Sequence, residues 1–197
     1  QQIYEEIPDK GQSCISVKWV IKPKIIDGKH SIKARLCARG FEEPQFFRTD
    51  SPTCSREGIR IALTTITANI WKLHSIDVKS AFLQGKEIER SVYLRPPKEA
   101  KTNNIWHLKK CVYGLADACR YCYLQVKEVL TSLKGNICPS DQGIFTWYEE
   151  NSISGIITCF VDDIIWGGTE SFYKNIVEKF KNTFKIGSES IECFTFL

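Results

Sequence analysis

Hydrophobic and polar positions alternate along several stretches of the chain with the period of two that is typical of β-strands. The clearest case is SVKWVIKPKII-DG-KHSIKARLCARG (16–40), where two such runs flank an Asp27-Gly28 turn and predict a β-hairpin. Pro23 predicts that the first strand lies at a sheet edge or is interrupted. The basic side chains share one face of each strand: Lys18, Lys22 and Lys24 on the first, Lys33, Arg35 and Arg39 on the second.

Apolar residues recur every three to four positions in three other stretches, which predicts amphipathic helices. The first stretch, REGIRIALTTITANIW (56–71), places one stripe at Ile59, Leu63, Ile66 and Ile70. The second runs from about Ala118 to Leu133, with Gly135 after its end. The third covers roughly 170–185 and stacks apolar side chains on one side: Phe172, Ile176, Phe180 and Phe184.

Short β-rich runs lie between these helices: KLHSIDV, SVYLRPP, IWHLKKCVYGL, GIFTWYEE and SISGIITCF. Two prolines stop the second run, and Gly114 interrupts the third. Strands and helices therefore alternate along the chain without internal repeats. This order predicts an α+β fold in which helices pack on an antiparallel sheet.

Two adjacent aspartates, Asp162 and Asp163, interrupt the apolar and β-branched stretch GIITCFVDDIIWGG (155–168). A buried carboxylate is unfavourable unless a cation meets it, yet no Lys or Arg occurs from 135 to 173. We expect the pair at the tight bend of a hairpin, and Asp77 near the end of a separate apolar strand. If those strand ends are neighbours, three carboxylates converge, and such oxygen ligands suit Mg²⁺. A solvated Asp-Asp turn is the alternative.

Charge is unevenly distributed along the chain, whose formal net charge is +4. Residues 15–40 carry seven Lys and Arg against one Asp, a local net charge of +6, so the remainder is slightly acidic. This separation suits a protein that grips a polyanion at one place and acts on it at another. A solvated outer face of the hairpin is the alternative interpretation.

The composition favours a soluble globular protein, because 43% of the residues are hydrophobic and 25% are charged. No apolar run is long enough to cross a bilayer, so we expect no membrane partner. Nine cysteines without a regular framework suit a reducing compartment. The absence of methionine predicts that the chain is a piece of a longer polypeptide.

Several blocks resemble a known polymerase family. FVDD (160–163) resembles the Y/F-x-D-D box of reverse transcriptases, and LHSIDVKSAFLQGKEIERSVYLRPP (73–97) is similar to the block around the first catalytic aspartate in copia-type retrotransposons. Further blocks occur in the same order: IKARLCARGFEE, TDSPT, LKKCVYGL and FVDDIIWGGTE. The resemblance runs from about Trp19 to the C-terminus.

The resemblance implies the fingers and palm of a right-hand polymerase embedded in a Pol polyprotein. We expect fingers at 1–58 and 87–112 and palm at 59–86 and 113–197, with the thumb absent. The other Pol regions (thumb, RNase H and integrase) would be partners in the parent polyprotein. The implied location is the cytoplasm, within the virus-like particle of the parent element.

The implied activity is RNA-directed DNA polymerisation, in which dNTPs are added to a primer 3′-OH on an RNA or DNA template by two-metal phosphoryl transfer. Asp77, Asp162 and Asp163 would be catalytic and would bind two Mg²⁺ ions, for which Mn²⁺ is a possible substitute. The backbone carbonyl of Val78 would also lie near a metal.

Further residues are implied to bind the nucleotide. Phe82 matches the bulky aromatic that clashes with a ribose 2′-OH, with a core aromatic as the alternative. Gly114 would let the backbone approach the templating base pair closely. The basic hairpin would close over the triphosphate through its cationic side chains: Lys22, Lys24, Lys33 and Arg35.

The stretch ADACRYCY (116–123) departs from the family pattern, since Ala116 replaces a commonly polar or basic residue and Cys119 and Cys122 are unexpected. The departure favours an alternative function, a catalytically inactive, decayed or domesticated transposon fragment that only binds nucleic acid. Another palm-type enzyme, such as a nucleotidyl cyclase, would not need the basic hairpin. A rival zinc site would use an H-x3-C…C-x2-C set: His107, Cys111, Cys119 and Cys122.

Overall fold

The computed structural model of the protein describes residues 2–26, 28–43 and 47–192. The strands are β1 (Tyr4–Ile7), β2 (Val17–Ile26), β3 (Lys29–Ala38), β4 (His74–Val78), β5 (Tyr93–Leu94), β6 (Ile105–Leu108), β7 (Asn136–Cys138), β8 (Asp141–Glu149), β9 (Ser152–Phe160), β10 (Asp163–Gly168) and β11 (Ile186–Ile191). The helices are α1 (Arg56–Ala68), α2 (Ala81–Gln84), α3 (Ala118–Ser132), α4 (Glu170–Phe172) and α5 (Glu178–Thr183), with a π-helical segment (Tyr173–Val177) joining the last two.

The largest element is a six-stranded antiparallel sheet with the strand order β11-β4-β10-β9-β8-β7. Successive side chains along its strands point to opposite faces of the sheet, as the period-two pattern predicts, and both faces are covered by helices. On one face, residues such as Phe145, Ile157 and Ile164 pack under α3, α4 and α5. On the other face, Ile144 and Ile156 pack against α1. This arrangement confirms the expected α+β fold with helices on an antiparallel sheet.

A second unit lies beside this sheet and contains the basic hairpin. β2 and β3 pair over ten residues to form a two-stranded ribbon, and β1, β6 and β5 form a separate three-stranded antiparallel sheet. Val17 and Ala38, at the base of the ribbon, pack with Leu94 and Leu108 of the three-stranded sheet. The predicted hairpin is therefore confirmed, while Asp27 of its predicted turn lies outside the described residues.

The ribbon is amphipathic in an unusual way, because its basic and its apolar faces are both accessible. Lys22 lies opposite Lys33, and Val20 lies opposite Arg35, so these cations share one face. The opposite face carries exposed large apolar side chains: Trp19, Ile21, Ile25 and Ile32. Pro23 lies in β2, which has one free edge, in agreement with the prediction from its missing N–H.

The predicted helices are present, with one correction to their boundaries. α1 ends at Ala68, and Ile70 is 93% exposed at φ +56°, so the prediction that Ile70 continues the apolar stripe was wrong. α1 instead buries Gly58, Ala62 and Ile66. Within the described ranges, no helix combines the length and the apolar character needed to cross a membrane.

Candidate active site

Two predicted catalytic residues lie opposite each other on neighbouring strands. β10 pairs with β4, and Asp163 lies directly across from Asp77, so both carboxylates project from the same face of the sheet. Asp162 precedes β10 in the two-residue loop after β9, and its carbonyl accepts a hydrogen bond from the Val78 N–H (2.9 Å). Asp77 and the Asp162–Asp163 pair, which are distant from each other in sequence, are therefore carried by adjoining strand ends.

The loop that carries Asp162 has a strained backbone. Val161 occupies the left-handed region at φ +58°, which is costly for a β-branched residue. A two-residue hairpin loop with positive φ at its first position matches the right-handed twist of the flanking strands. The sequence of this loop, Val-Asp rather than one with glycine first, is unfavourable for the turn that it forms. Such strain concentrates at functional sites.

The aspartates lack a basic partner among the residues that the structure describes. Within the described ranges, no Lys, Arg or His forms an ion pair with Asp77, Asp162 or Asp163. Burial, followed by the negative charges of Asp162 and Asp77, raises the pKa of Asp163 above its usual range. The arrangement is therefore unfavourable in the absence of a cation.

This donor set fits divalent cations of the Mg²⁺ type. The described residues contain no group of three or more His, Cys, Asp or Glu side chains arranged to enclose a metal ion alone. Mg²⁺ is commonly held by one or two carboxylates, with water and substrate phosphates completing the octahedron. Carboxylates that line an open cavity leave room for such water and phosphate ligands, whereas a closed site would have to supply every ligand from the protein.

Gly187 gives the Asp77 carboxylate its position. A Cβ atom at Gly187 would lie 2.2 Å from Oδ2 of Asp77, so any larger residue would displace the carboxylate. Gly187 lies where the register between β11 and β4 shifts, between the paired residues Ile186 and Ser188. The irregular pairing therefore places a glycine, which has no side chain, beside the carboxylate of Asp77.

A cavity of about 730 Å³ separates the basic ribbon from the aspartates. Predicted site residues line it from both sides: Lys24, Lys33 and Arg35 from the ribbon, and Asp77, Val78 and Asp162 from the large sheet. Asp163 is half-buried beside this lining and is not part of it. The cavity thus has a cationic side and an anionic side, which suits a ligand that carries both phosphates and bound cations.

Phe82 connects the two sides through Tyr113. The two rings meet edge to face with their centroids 5.1 Å apart, and the Arg35 guanidinium lies over the Tyr113 ring at 5.3 Å. Phe82 also packs against both the core under the large sheet and the core at the base of the ribbon. Phe82 is therefore both a packing residue and a close neighbour of the cavity lining, so both interpretations of this residue retain support.

Two other predicted residues lie outside the cavity lining. Lys22 is exposed on the basic face of the ribbon, opposite Lys33. Gly114 adopts φ +94°, and a Cβ there would lie 2.0 Å from the Ala38 carbonyl oxygen. The close approach that Gly114 permits in this structure is to the base of β3, and its predicted role near a templating base pair stays a prediction.

The cavity is also lined by residues that the sequence analysis did not single out: Lys79, Ser80, Tyr113 and Gly187. Lys79 follows Asp77 by two residues, which in an extended strand is the spacing of one face and was the available signal. Gly187 had no such signal, because its importance comes from pairing between β11 and β4 across about 110 residues of sequence.

The divergent stretch 116–123 is integrated into the core. Asp117 is 2% exposed and forms two hydrogen bonds of 2.9 Å to Arg90, which also pairs with Glu43. The proposed zinc ligands are not gathered, because Cys111 and Cys122 belong to different cores. Cys122 instead lies beside the aspartate loop, with its Sγ 4.0 Å from the Val161 carbonyl.

Comparison with known proteins gives the family of this chain. The family model described as reverse transcriptase (RNA-dependent DNA polymerase) matches residues 4–192. The chain is 27% identical to the retrovirus-related Pol polyprotein from transposon RE1 of Arabidopsis thaliana over 91% of its length, and 30% identical to that from transposon TNT 1-94 of Nicotiana tabacum over 89%.

The matched region is a small part of those relatives. The chain spans 13% of the RE1 polyprotein and 14% of the TNT 1-94 polyprotein. The RE2 polyprotein of Arabidopsis thaliana gives a similar match, 27% identity over 83% of the chain and 12% of the relative. The similarity therefore identifies one region of a Pol polyprotein, and it extends over nearly all of this chain. The chain belongs to the copia-type branch of the reverse transcriptase (RNA-dependent DNA polymerase) family.

Proposed function

We propose that this chain is the nucleotide-adding part of a copia-type retrotransposon reverse transcriptase, an RNA-directed DNA polymerase. The observation that carries the proposal is that Asp77 and Asp162, at adjoining strand ends with Asp163 beside them, face a basic ribbon across one cavity. Its substrates would be dNTPs and a primer annealed to an RNA or DNA template. Residues 1–58 and 87–112 would act as fingers, and 59–86 and 113–197 as palm.

The carboxylates would position two Mg²⁺ ions, held by Asp77 and Asp162 with Asp163 and the Val78 carbonyl nearby. When bound, such ions make the primer 3′-OH more acidic and neutralise charge that develops on the phosphates. The chain contributes a fixed array of carboxylates, whose mutual repulsion is relieved by cations. Because no lysine or arginine in the described part of the chain forms an ion pair with this array, such pairing would not compete with divalent cations.

The ribbon would hold the triphosphate from the opposite side. Lys24, Lys33 and Arg35 line the cavity, and Lys22 lies on the same face of the ribbon. In the reaction, the primer 3′-oxygen forms a bond to the α-phosphorus, the bond from the α-phosphorus to the bridging oxygen breaks, and pyrophosphate leaves with the electron pair. Arg35 and the lysines stabilise the negative charge that accumulates on this leaving group.

Phe82, directly beside the cavity lining, would select the sugar. Phe82 is fixed by its edge-to-face contact with Tyr113 and by packing on two cores, so its ring has little freedom to move away from a bulkier substrate. A ribose 2′-OH would meet this ring, whereas a deoxyribose would not. Tyr113 contacts both Phe82 and Arg35, so the proposed sugar site and the proposed phosphate site are in contact through one ring.

Primer extension on an RNA template with Mg²⁺ and dNTPs tests the proposal. The wild-type chain should extend the primer, and Asp162→Asn should abolish extension while leaving the circular dichroism spectrum and primer-template binding unchanged. The exposed Glu150, changed to Gln, is the matched control and should retain full activity. Undiminished extension by Asp162→Asn would refute the assignment of the aspartates, and binding without extension by the wild type would favour the inactive-fragment alternative.

A further inference from the structure

A second cavity adjoins the one between the ribbon and the aspartates. It has a volume of about 500 Å³ and lies beneath α2 and the start of β11. The two cavities share lining residues, among them Lys79, Ser80 and Leu83. A small molecule that leaves the first cavity past these shared residues therefore enters the second cavity. Within the described part of the chain, two lysines and no carboxylate line the second cavity.

These two lysines lie opposite each other, one residue beyond the paired ends of β4 and β11. The Lys79 N–H donates to the Lys185 carbonyl (3.0 Å), one residue beyond the paired residues Val78 and Ile186. Residues in this relationship have Cβ atoms about 5 Å apart on the same face of a sheet, and like charges there are destabilising. Both side chains are exposed, and no acidic residue in the described ranges forms an ion pair with either. Among the described residues, the pair therefore lacks an ion-paired counter-charge.

Gln84 fixes the spacing of this pair. Its side-chain amide donates to the carbonyls of Lys79 (2.6 Å) and Lys185 (3.1 Å) and accepts from the Lys185 N–H (2.7 Å). The amide thus takes the place of the second backbone hydrogen bond that an antiparallel pair would make at this point. A side chain with three hydrogen bonds to two backbones holds both lysine backbones in place before any ligand binds.

The remaining lining adds neutral hydrogen-bonding groups to the two positive charges. Ser80 and Asn182 contribute a hydroxyl and an amide group, and much of the remaining wall is apolar. Paired ammonium groups with neutral donors suit a compact anion that carries more than one negative charge. Lys79 is also only two residues from Asp77, so the pair borders the position where the proposed reaction releases its anion.

We propose that Lys79 and Lys185 form a binding site for inorganic pyrophosphate, separate from the basic ribbon, which receives the leaving group after nucleotide addition. This inference rests on the proposed function for its biological role, while the anion site itself rests on the second cavity. The ribbon would hold the triphosphate of the incoming nucleotide, and the lysine pair would accept the released diphosphate on the side away from the ribbon.

Equilibrium dialysis with radiolabelled inorganic pyrophosphate tests the site without requiring polymerase activity. Changing both lysines to Gln (Lys79→Gln with Lys185→Gln) should weaken pyrophosphate binding by about tenfold or more, because two charge-assisted contacts are lost. The matched control changes two exposed lysines that line neither cavity, Lys72→Gln with Lys98→Gln, and should bind as the wild type does. Equal binding by both double variants would overturn the proposal.

A rescue variant and a measurement of primer-template binding distinguish a pyrophosphate site from a site that contacts the nucleic-acid backbone. Changing both lysines to Arg keeps the two charges and should restore pyrophosphate binding. Binding of a primer-template duplex should be the same for the Gln double variant and the wild type. A loss of duplex affinity with unchanged pyrophosphate binding would overturn the proposal in favour of backbone contacts. A chain that binds pyrophosphate through the pair but extends no primer would contradict only the proposed function.

Discussion

Asp163 lies directly across from Asp77 on neighbouring antiparallel strands, and the two carboxylates project from one face of the sheet. Cross-strand pairs of like charge are unfavourable, and within the described ranges no basic residue forms an ion pair with either aspartate. A fold selected for stability alone would not retain such a pair, because one amide or apolar residue at either position would remove the repulsion. The pair therefore lowers the stability of the fold, and the proposed binding of cations would relieve this cost.

This repulsion has a measurable consequence for stability. Asp163→Asn should raise the free energy of unfolding in EDTA by about 0.5 kcal/mol, because it removes a like charge opposite Asp77. Saturating Mg²⁺ should stabilise the wild type more than the variant and so narrow or reverse the difference. Urea denaturation with and without Mg²⁺ measures both effects. A variant that is less stable than the wild type in EDTA would show that the two carboxylates do not repel.

The geometry at Gly187 makes a second prediction, which separates catalysis from folding. Gly187→Ala places a Cβ 2.2 Å from the original position of Asp77 Oδ2, so the carboxylate must move. Displacing a catalytic group by about 1 Å costs about 100-fold in rate, and we expect a loss in kcat of that order. Single-turnover primer extension measures the rate of the chemical step.

The neighbouring Ser188 supplies the control for this experiment. Ser188 also lines the cavity and is the register partner of Asp77, so Ser188→Ala changes the same strand without adding volume. We expect Ser188→Ala to keep most of the activity and both variants to have melting temperatures close to that of the wild type. Equal activity for Gly187→Ala and Ser188→Ala would show that the position of the Asp77 carboxylate is not critical.

Phe82 gives a prediction about substrate selection. Phe82→Leu keeps an apolar side chain between the two cores but removes the ring that faces Tyr113, so ribonucleotides should be incorporated more readily. We expect the ratio of kcat/KM for dNTP over rNTP to fall by about tenfold or more, the scale at which a change of pocket shape discriminates substrates. Because the ratio is internal to each preparation, partial unfolding of the variant does not affect it. An unchanged ratio would leave Phe82 as a packing residue only.

Local patterns made the hairpin and the aspartate loop predictable from sequence. Period-two alternation and turn residues specify β2 and β3, and the apolar runs on both sides of Asp162 and Asp163 specify β9 and β10. The exposed position of Ile70 was not predictable from spacing, because α1 ends two residues earlier and the apolar stripe continues in the sequence alone.

The parts of the site that come from β11 were beyond sequence reasoning. Its sequence, IGSESI, has no apolar alternation, and within the described ranges it lies at the edge of the sheet and pairs with β4 alone. Gly187 and Lys185 acquire their positions from that long-range pairing, and nothing in their own neighbourhood of the chain signals it. Asp77 could be predicted to end a strand, but not that its carboxylate lies against a glycine.

The divergent stretch 116–123 makes a prediction about stability. Arg90 lies between two buried acids, Asp117 and Glu43, and burial raises the pKa of Glu43 although Arg90 lowers it. Arg90→Met should cost about 3–5 kcal/mol, because it leaves two buried carboxylates without a cation, and Asp117→Asn should cost less. Adding Glu43→Gln to Arg90→Met should recover part of the loss, as urea denaturation would reveal. Equal effects of Arg90→Met and Asp117→Asn would indicate that Glu43 does not depend on Arg90.

Asp141 makes a prediction about the pH dependence of stability. Burial raises the pKa of Asp141, but hydrogen bonds from the Ser55 N–H (2.8 Å) and Oγ (2.7 Å), together with the Gly143 N–H (3.0 Å) and the Cys54 thiol, outweigh burial and hold the pKa below its usual value. A lowered pKa in the folded state stabilises the protein above the ordinary carboxyl pKa, and this contribution is lost as the pH falls through the lowered value. Asp141→Asn should therefore cost about 1 kcal/mol at pH 7 and progressively less below about pH 4.

Urea denaturation at a series of pH values measures this difference, since the wild type and the variant are compared under identical conditions at each point. The exposed Glu150, changed to Gln, serves as the control and should alter the free energy of unfolding at pH 7 by less than about 0.5 kcal/mol. A difference between Asp141→Asn and the wild type that grows as the pH falls would contradict the sign of the pKa shift. It would mean that the start of α1 does not depend on the charge of Asp141.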